Sequence, residues 1–174
     1  MKTLKMLSVL ISMLSFPTVT SNSAEKPPTV TQQSDYDKPE FKKALFDASR
    51  VFGRAGCGDA QLAEMTARAA IRTGLPGNVI AAEIATESTC DPLAVSKDGG
   101  VGLMQIMPKI WASKFDNFRD KNLLKAEDSM EVGTTILADN IKQWGLREGI
   151  RHYNGSGPDA ELYAIKVMAL AGAR

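Results

Sequence analysis

Glu87 and the polar residues after it stand in a stretch, VIAAEIATESTCDPLAVSKDGGVGLMQIMP from Val79 to Pro108, where packing alone does not ask for them. Ile80, Ile84 and Glu87 recur at three- and four-residue steps with alanines between, and Pro92 prevents a long continuation. The spacing predicts a helix over 79–88 with Glu87 in its last turn. A carboxylate there faces the negative end of the helix dipole, and partial burial against apolar neighbours disfavours its ionised form further. Such a glutamate can keep its proton at neutral pH and act as a general acid. Two other carboxylates compete. Glu83, one turn earlier, could pair with Glu87 on the same helix face, although a glutamate at such a position is ordinarily a solvated charge. Asp98, in the glycine-bearing loop that follows, could activate a water opposite Glu87, which is the two-carboxylate arrangement of a hydrolase.

The run Glu87-Ser88, Asp91-Pro92, Ala94, Ser96, Gly99, Gly102-Leu103-Met104-Gln105 and Met107-Pro108 resembles the lytic transglycosylases, goose-type-lysozyme-like enzymes that cut bacterial peptidoglycan. So many positions in register are far more specific than a lone short motif. Tyr153-Asn154 and Tyr163 with Val167 extend the likeness, which covers about residues 61–168. The resemblance implies a mainly α (α+β lysozyme-like) domain, with a small hairpin or loop lobe beside the cleft. It also implies a reaction run by one carboxylate. Glu87 would protonate the bridging oxygen between N-acetylmuramic acid and N-acetylglucosamine, with the N-acetyl group of the substrate supporting the developing cation. The same carboxylate would then take the proton of the 6-hydroxyl, leaving a 1,6-anhydromuramyl end.

By the same resemblance Ser96 donates a hydrogen bond near Glu87, Gln105 holds substrate N-acetyl or backbone groups, and Tyr163 orients the acid. Tyr153 and Asn154 line the sugar groove, and Met107 counts among the substrate-binding or supporting residues. Bland roles compete: Met104 and Met107 could be core filling, Tyr153 a core aromatic and Asn154 a turn residue. Gln105, an amide amid Leu, Met and Ile, needs a partner if buried. The chain departs from the family pattern at His152, where alanine is usual, at Ile110, where threonine is common, and at Gly155-Ser156, where Ala-Gly is usual. Two readings stand beside the transglycosylase: a goose-type lysozyme using Glu87 with Asp98, and a non-catalytic secreted peptidoglycan-binding protein.

Several elements must position these residues. Phe41, Leu45, Ala48 and Phe52 mark an amphipathic helix over 41–54, and Asp59 can cap a second helix from Ala60 to about Arg72, stopped by Gly74 and Pro76. The short turn over 73–78 makes this helix and the Glu87 helix an antiparallel hairpin. Cys57 precedes the first arm and Cys90 follows the second, so those ends meet and a Cys57–Cys90 disulfide is expected. Residues 115–125 read as a surface connection. Asp128 or Ser129 can cap a helix over 130–144 with Val132, Ile136, Leu137, Ile141 and Trp144 as its buried stripe, and Gly133 within it suggests a close backbone neighbour. A short helix ends at the turn after Tyr153-Asn154, and Asp159 can start a last helix carrying Leu162, Tyr163, Ile165, Val167 and Met168.

Lys2 and Lys5, an apolar core from Leu7 to Phe16 and small residues up to Ala24 have the layout of a secretory signal peptide over 1–24. Residues 25–40, rich in Pro, Thr, Ser and Gln, read as a flexible leader, and 41–174 as the lysozyme-like domain. The apolar run is too short for a stable membrane anchor, so the protein is expected to be periplasmic or secreted, and a monomer. The sequence has 21 Lys+Arg against 20 Asp+Glu, and loses Lys2 and Lys5 with the presegment. Near neutrality argues against nucleic acid as a partner and against long-range attraction to an anionic wall. With one histidine, a Ser/His/Asp triad and a multi-histidine metal site lack support, and neither a metal nor a cofactor is expected. A small secreted enzyme of this kind also resembles members that open the wall for secretion, conjugation or phage assembly.

Overall fold

A helix that is apolar on nearly every side can only be stable inside others, and the Glu87 helix is of that kind. The computed structural model describes residues 35–114 and 118–173. Among these, seven α-helices carry the chain: α1 (Pro39–Ala55), α2 (Ala60–Thr73), α3 (Gly77–Ser88), the single turn α4 (Pro108–Trp111), α5 (Ala126–Trp144), α6 (Leu146–Asn154) and α7 (Pro158–Ala171). The chain is mainly α, as expected. In α3, Val79, Ile80, Ala81, Ala82 and Ile84 are all buried, because α1, α2 and α7 pack around it. On the other side α5 packs against α6 and α2, and α6 packs against α7.

Local signals account for most boundaries. The Asp59 carboxylate accepts the Leu62 N–H at 2.8 Å and caps α2, and Gly74 closes it in the left-handed conformation at φ 74°. α2 and α3 form the expected hairpin, and the Cys57–Cys90 disulfide bridges its open end with a Cα–Cα distance of 5.7 Å. By the chain-entropy account, closing a loop of this size contributes about 4 kcal/mol.

Other expectations need correction. The signal peptide over 1–24, and the leader as far as residue 34, lie outside the described residues. The rest of the supposed leader is held in place: Pro39 and Glu40 form the first turn of α1, where a proline lacks no hydrogen bond. Tyr36 sits edge-on to Phe41 at 5.1 Å, and the Arg68 guanidinium lies over both rings. Helix α5 begins at Ala126 rather than Met130, and neither candidate cap serves as one. Asp128 instead accepts the Asn122 N–H at 2.9 Å, and Ser129 accepts the Met104 N–H at 3.2 Å. Residues 118–125 are more than a surface connection, since Phe118 and Leu123 are buried. Trp144, assigned to the buried stripe, is 41% exposed and stacks on His152 at 4.0 Å. On α7, Leu162 and Ile165 face outward.

Gly133 does mark a close approach, but the neighbour is a side chain. A Cβ at this position would lie 2.5 Å from Met104 Sδ and 2.6 Å from Met104 Cβ. Met104 is fully buried, so the motif loop is keyed into α5 by one methionine filling the space that a glycine leaves.

Candidate active site

Between α3 and α4 the chain forms the small lobe. Val101 makes antiparallel bridges to both Val95 and Ile106, with the Val101 and Ile106 N–H groups each donating to the other's carbonyl at 3.0 Å. Gly102 donates to Ala94 O at 2.8 Å, and its φ of 76° lets the chain turn beside Leu123. Gln105 takes a left-handed conformation at φ 46°, uncommon for a residue with a side chain. Its own amide offsets that strain: Nε2 donates to Gly102 O at 2.9 Å and to Ala94 O at 3.1 Å. Gln105 therefore ties the two limbs of the lobe together while facing the cleft.

The cleft is about 440 Å³ in volume, and Glu87, Ser96, Asp98, Gln105, Met107, Tyr153 and Asn154 all line it. The sequence-derived residues thus converge on one site, with Tyr163 beneath it. The Tyr163 hydroxyl donates to Glu87 Oε1 at 2.6 Å from α7. Tyr153 combines the two roles weighed for it, lining the cleft with its ring while its hydroxyl donates to Met104 O at 2.8 Å. Ser96 Oγ accepts the Gly100 N–H at 2.9 Å, so the hydroxyl keeps its own proton to donate. Asn154, the last residue of α6, is exposed.

Burial raises the Glu87 carboxyl from an ordinary 4.5 to about 7, although the Tyr163 hydrogen bond and the charge of Lys166 act in the opposite direction. Glu87 therefore carries its proton over much of the neutral range and can still release it. Both tyrosine hydroxyls are raised well above their usual value, chiefly by burial, so they remain donors. Glu83 is not the solvated charge expected of it. It is 0% exposed, because the face of α3 that carries it is covered by other helices, and neither carboxyl oxygen makes a well-formed hydrogen bond to any of the described residues.

Ile110, Trp111 and His152 also line the cleft, and the sequence reading did not place them there. Ile110 and His152 were visible as departures from the family pattern, which is where a groove acquires its own shape. The Arg151 guanidinium lies 2.9 Å from His152 Nε2. A guanidinium can only donate, so Nε2 is the acceptor in this contact. Trp144 covers the ring from behind.

The family model for the transglycosylase SLT domain matches residues 64–164, which include every residue of this site. No curated protein and no solved structure matches the chain significantly. Since the match spans more than half of the sequence and the helical architecture agrees with it, the chain belongs to the transglycosylase SLT domain family, a lysozyme-like domain of lytic-transglycosylase type that acts on peptidoglycan.

Proposed function

We propose that the protein cleaves the β-1,4 bond between N-acetylmuramic acid and N-acetylglucosamine and leaves 1,6-anhydromuramyl ends. The observation that carries this reading is Glu87: a half-buried carboxyl at the floor of the cleft, poised at about 7 and hydrogen-bonded by Tyr163. Glu87 gives its proton to the glycosidic oxygen as the bond to the anomeric carbon breaks. The Tyr163 hydroxyl stabilises the carboxylate so formed, and that carboxylate then removes the proton of the 6-hydroxyl as its oxygen closes on the anomeric carbon. Proton and charge return to their starting state, and no water is consumed. Ser96, Gln105, Met107, Tyr153 and Asn154 hold the sugars. The chain works outside the cytoplasm after loss of residues 1–24, and the helical domain that opens with α1 at Pro39 is the catalytic domain.

Asp98 gives the rival reading its support, because it lines the same cleft as Glu87 and could activate a water. Digestion of purified peptidoglycan, with mass analysis of the products, separates the two. The proposal expects products without a reducing end, each lighter by one water than the hydrolysed muropeptide, and expects Asp98→Asn to be mild. Products with reducing ends, together with an Asp98→Asn loss as deep as that of Glu87→Gln, would make the enzyme a two-carboxylate hydrolase.

A further inference from the structure

Glu83 lies one turn before Glu87 on α3, has no exposed surface, and presents two carboxyl oxygens without a well-formed hydrogen bond. A buried carboxylate in that state would be very costly, whereas a neutral carboxyl has a proton to offer. The groups around it are few. Glu87 on its own helix raises its carboxyl, the Tyr163 hydroxyl of α7 lies close enough to act on it in the opposite direction, as a hydrogen-bonding neighbour, and the Tyr153 hydroxyl of α6 lies within the same electrostatic cluster. Lys166 of α7 acts on Glu87, and no charged group of α1 or α2 acts on Glu83 among the described residues. Burial, and then the neighbouring Glu87, push the Glu83 carboxyl well above the ordinary carboxylate range.

Tyr163 is the shared neighbour, and a tyrosine hydroxyl can donate or accept. If its oxygen were left open, the protonated Glu87 could turn its own proton onto it, away from the substrate. We propose that Glu83 is a positioning residue that donates its carboxyl proton to the Tyr163 oxygen, fixes that hydroxyl as the donor to Glu87, and so keeps the Glu87 proton directed at the cleft. A chain of two aligned donors also strengthens the bond that the ionised Glu87 receives after proton transfer. This inference rests on Glu87 being the general acid.

The pH dependence of peptidoglycan cleavage by Glu83→Leu and Glu83→Gln tests it, with thermal unfolding as a check on folding. Glu83→Leu removes the donor, so the alkaline limb should rise by about 0.5 to 1 pH unit. Its kcat should fall roughly tenfold at unchanged KM. Glu83→Gln keeps an N–H donor and should restore the wild-type limb. An unmoved limb in Glu83→Leu, or a downward shift in Glu83→Gln as a buried negative charge is removed, overturns the proposal. A second readout needs neither variant to fold: infrared spectra of Glu87→Gln at about pH 9, where ordinary carboxyls are ionised, should retain one protonated-carboxyl band. Absence of that band overturns the inference alone, whereas an active Glu87→Gln enzyme that retains the band overturns the role given to Glu87.

Discussion

Glu87→Gln should inactivate the protein and stabilise it at the same time, with a defined dependence on pH. Glutamine has nearly the shape of the protonated acid and can still accept the Tyr163 hydrogen bond, so it mimics the form that the fold favours. Between pH 4.5 and about 7 the folded protein holds the Glu87 proton while the unfolded chain has lost it. Folded protein therefore binds more protons across that window, and stability falls as pH rises through it. The contribution is fully present below 4.5 and gone above about 7. At about 1.4 kcal/mol per pH unit, this amounts to ~3 kcal/mol in the wild type, and glutamine does not lose it. For a domain of this size the difference corresponds to roughly 10 °C in Tm. Thermal unfolding of both proteins at pH 4.5, 7 and 9 measures it directly. The curves should nearly coincide at pH 4.5 and separate by pH 9, with the variant higher. Glu83 is common to both proteins and largely cancels from the comparison. A variant no more stable than wild type at pH 9, or a gap independent of pH, would refute the claim that burial holds the proton on Glu87.

Tyr163→Phe removes the hydrogen bond that lowers Glu87, so the alkaline limb of activity should move up from about 7, by about one pH unit, while kcat falls. A limb that stays in place would mean that Tyr163 does not act on the catalytic proton. Gly133→Ala should destabilise the protein by about 1–3 kcal/mol in denaturant unfolding, because the added methyl meets the near part of the buried Met104 side chain, which has nowhere to move. Adding Met104→Ala to it should recover part of that loss, and a Gly133→Ala protein as stable as wild type would show that the loop is not keyed there.

The helices were legible wherever a periodic apolar face ended in a recognisable stop. Asp59 and Gly74 bracket α2 by their own chemistry, and the shortness of the following turn fixed the hairpin and with it the Cys57–Cys90 pairing. Asp128 and Ser129 misled because a short polar side chain before an apolar run looks the same whether it caps its own helix or bonds to a distant segment. Only the folded chain brings the Asn122 and Met104 N–H groups to them. Trp144 failed for a similar reason: helical spacing marks a face, and it is the end of α5, where the packed neighbours run out, that leaves this ring exposed against His152.

Glu83 shows where reading by spacing stops for the site itself. A separation of four residues places it on the Glu87 side of α3, but whether that side is wet depends on α7, which returns to the site from 76 residues beyond Glu87. The sequence of α3 held a clue in the number of alanines and branched aliphatics around Glu83, which leave little of the helix to face water. A charged residue in an otherwise apolar helix is either at its one wet edge or buried by design, and the second case requires the proton to stay on. Read that way, Glu83 and Glu87 divide the work that a single buried acid cannot do alone. One carboxyl is sealed from solvent and holds its proton to orient Tyr163, while the other, one turn nearer the cleft, stays exposed enough to exchange its proton with substrate.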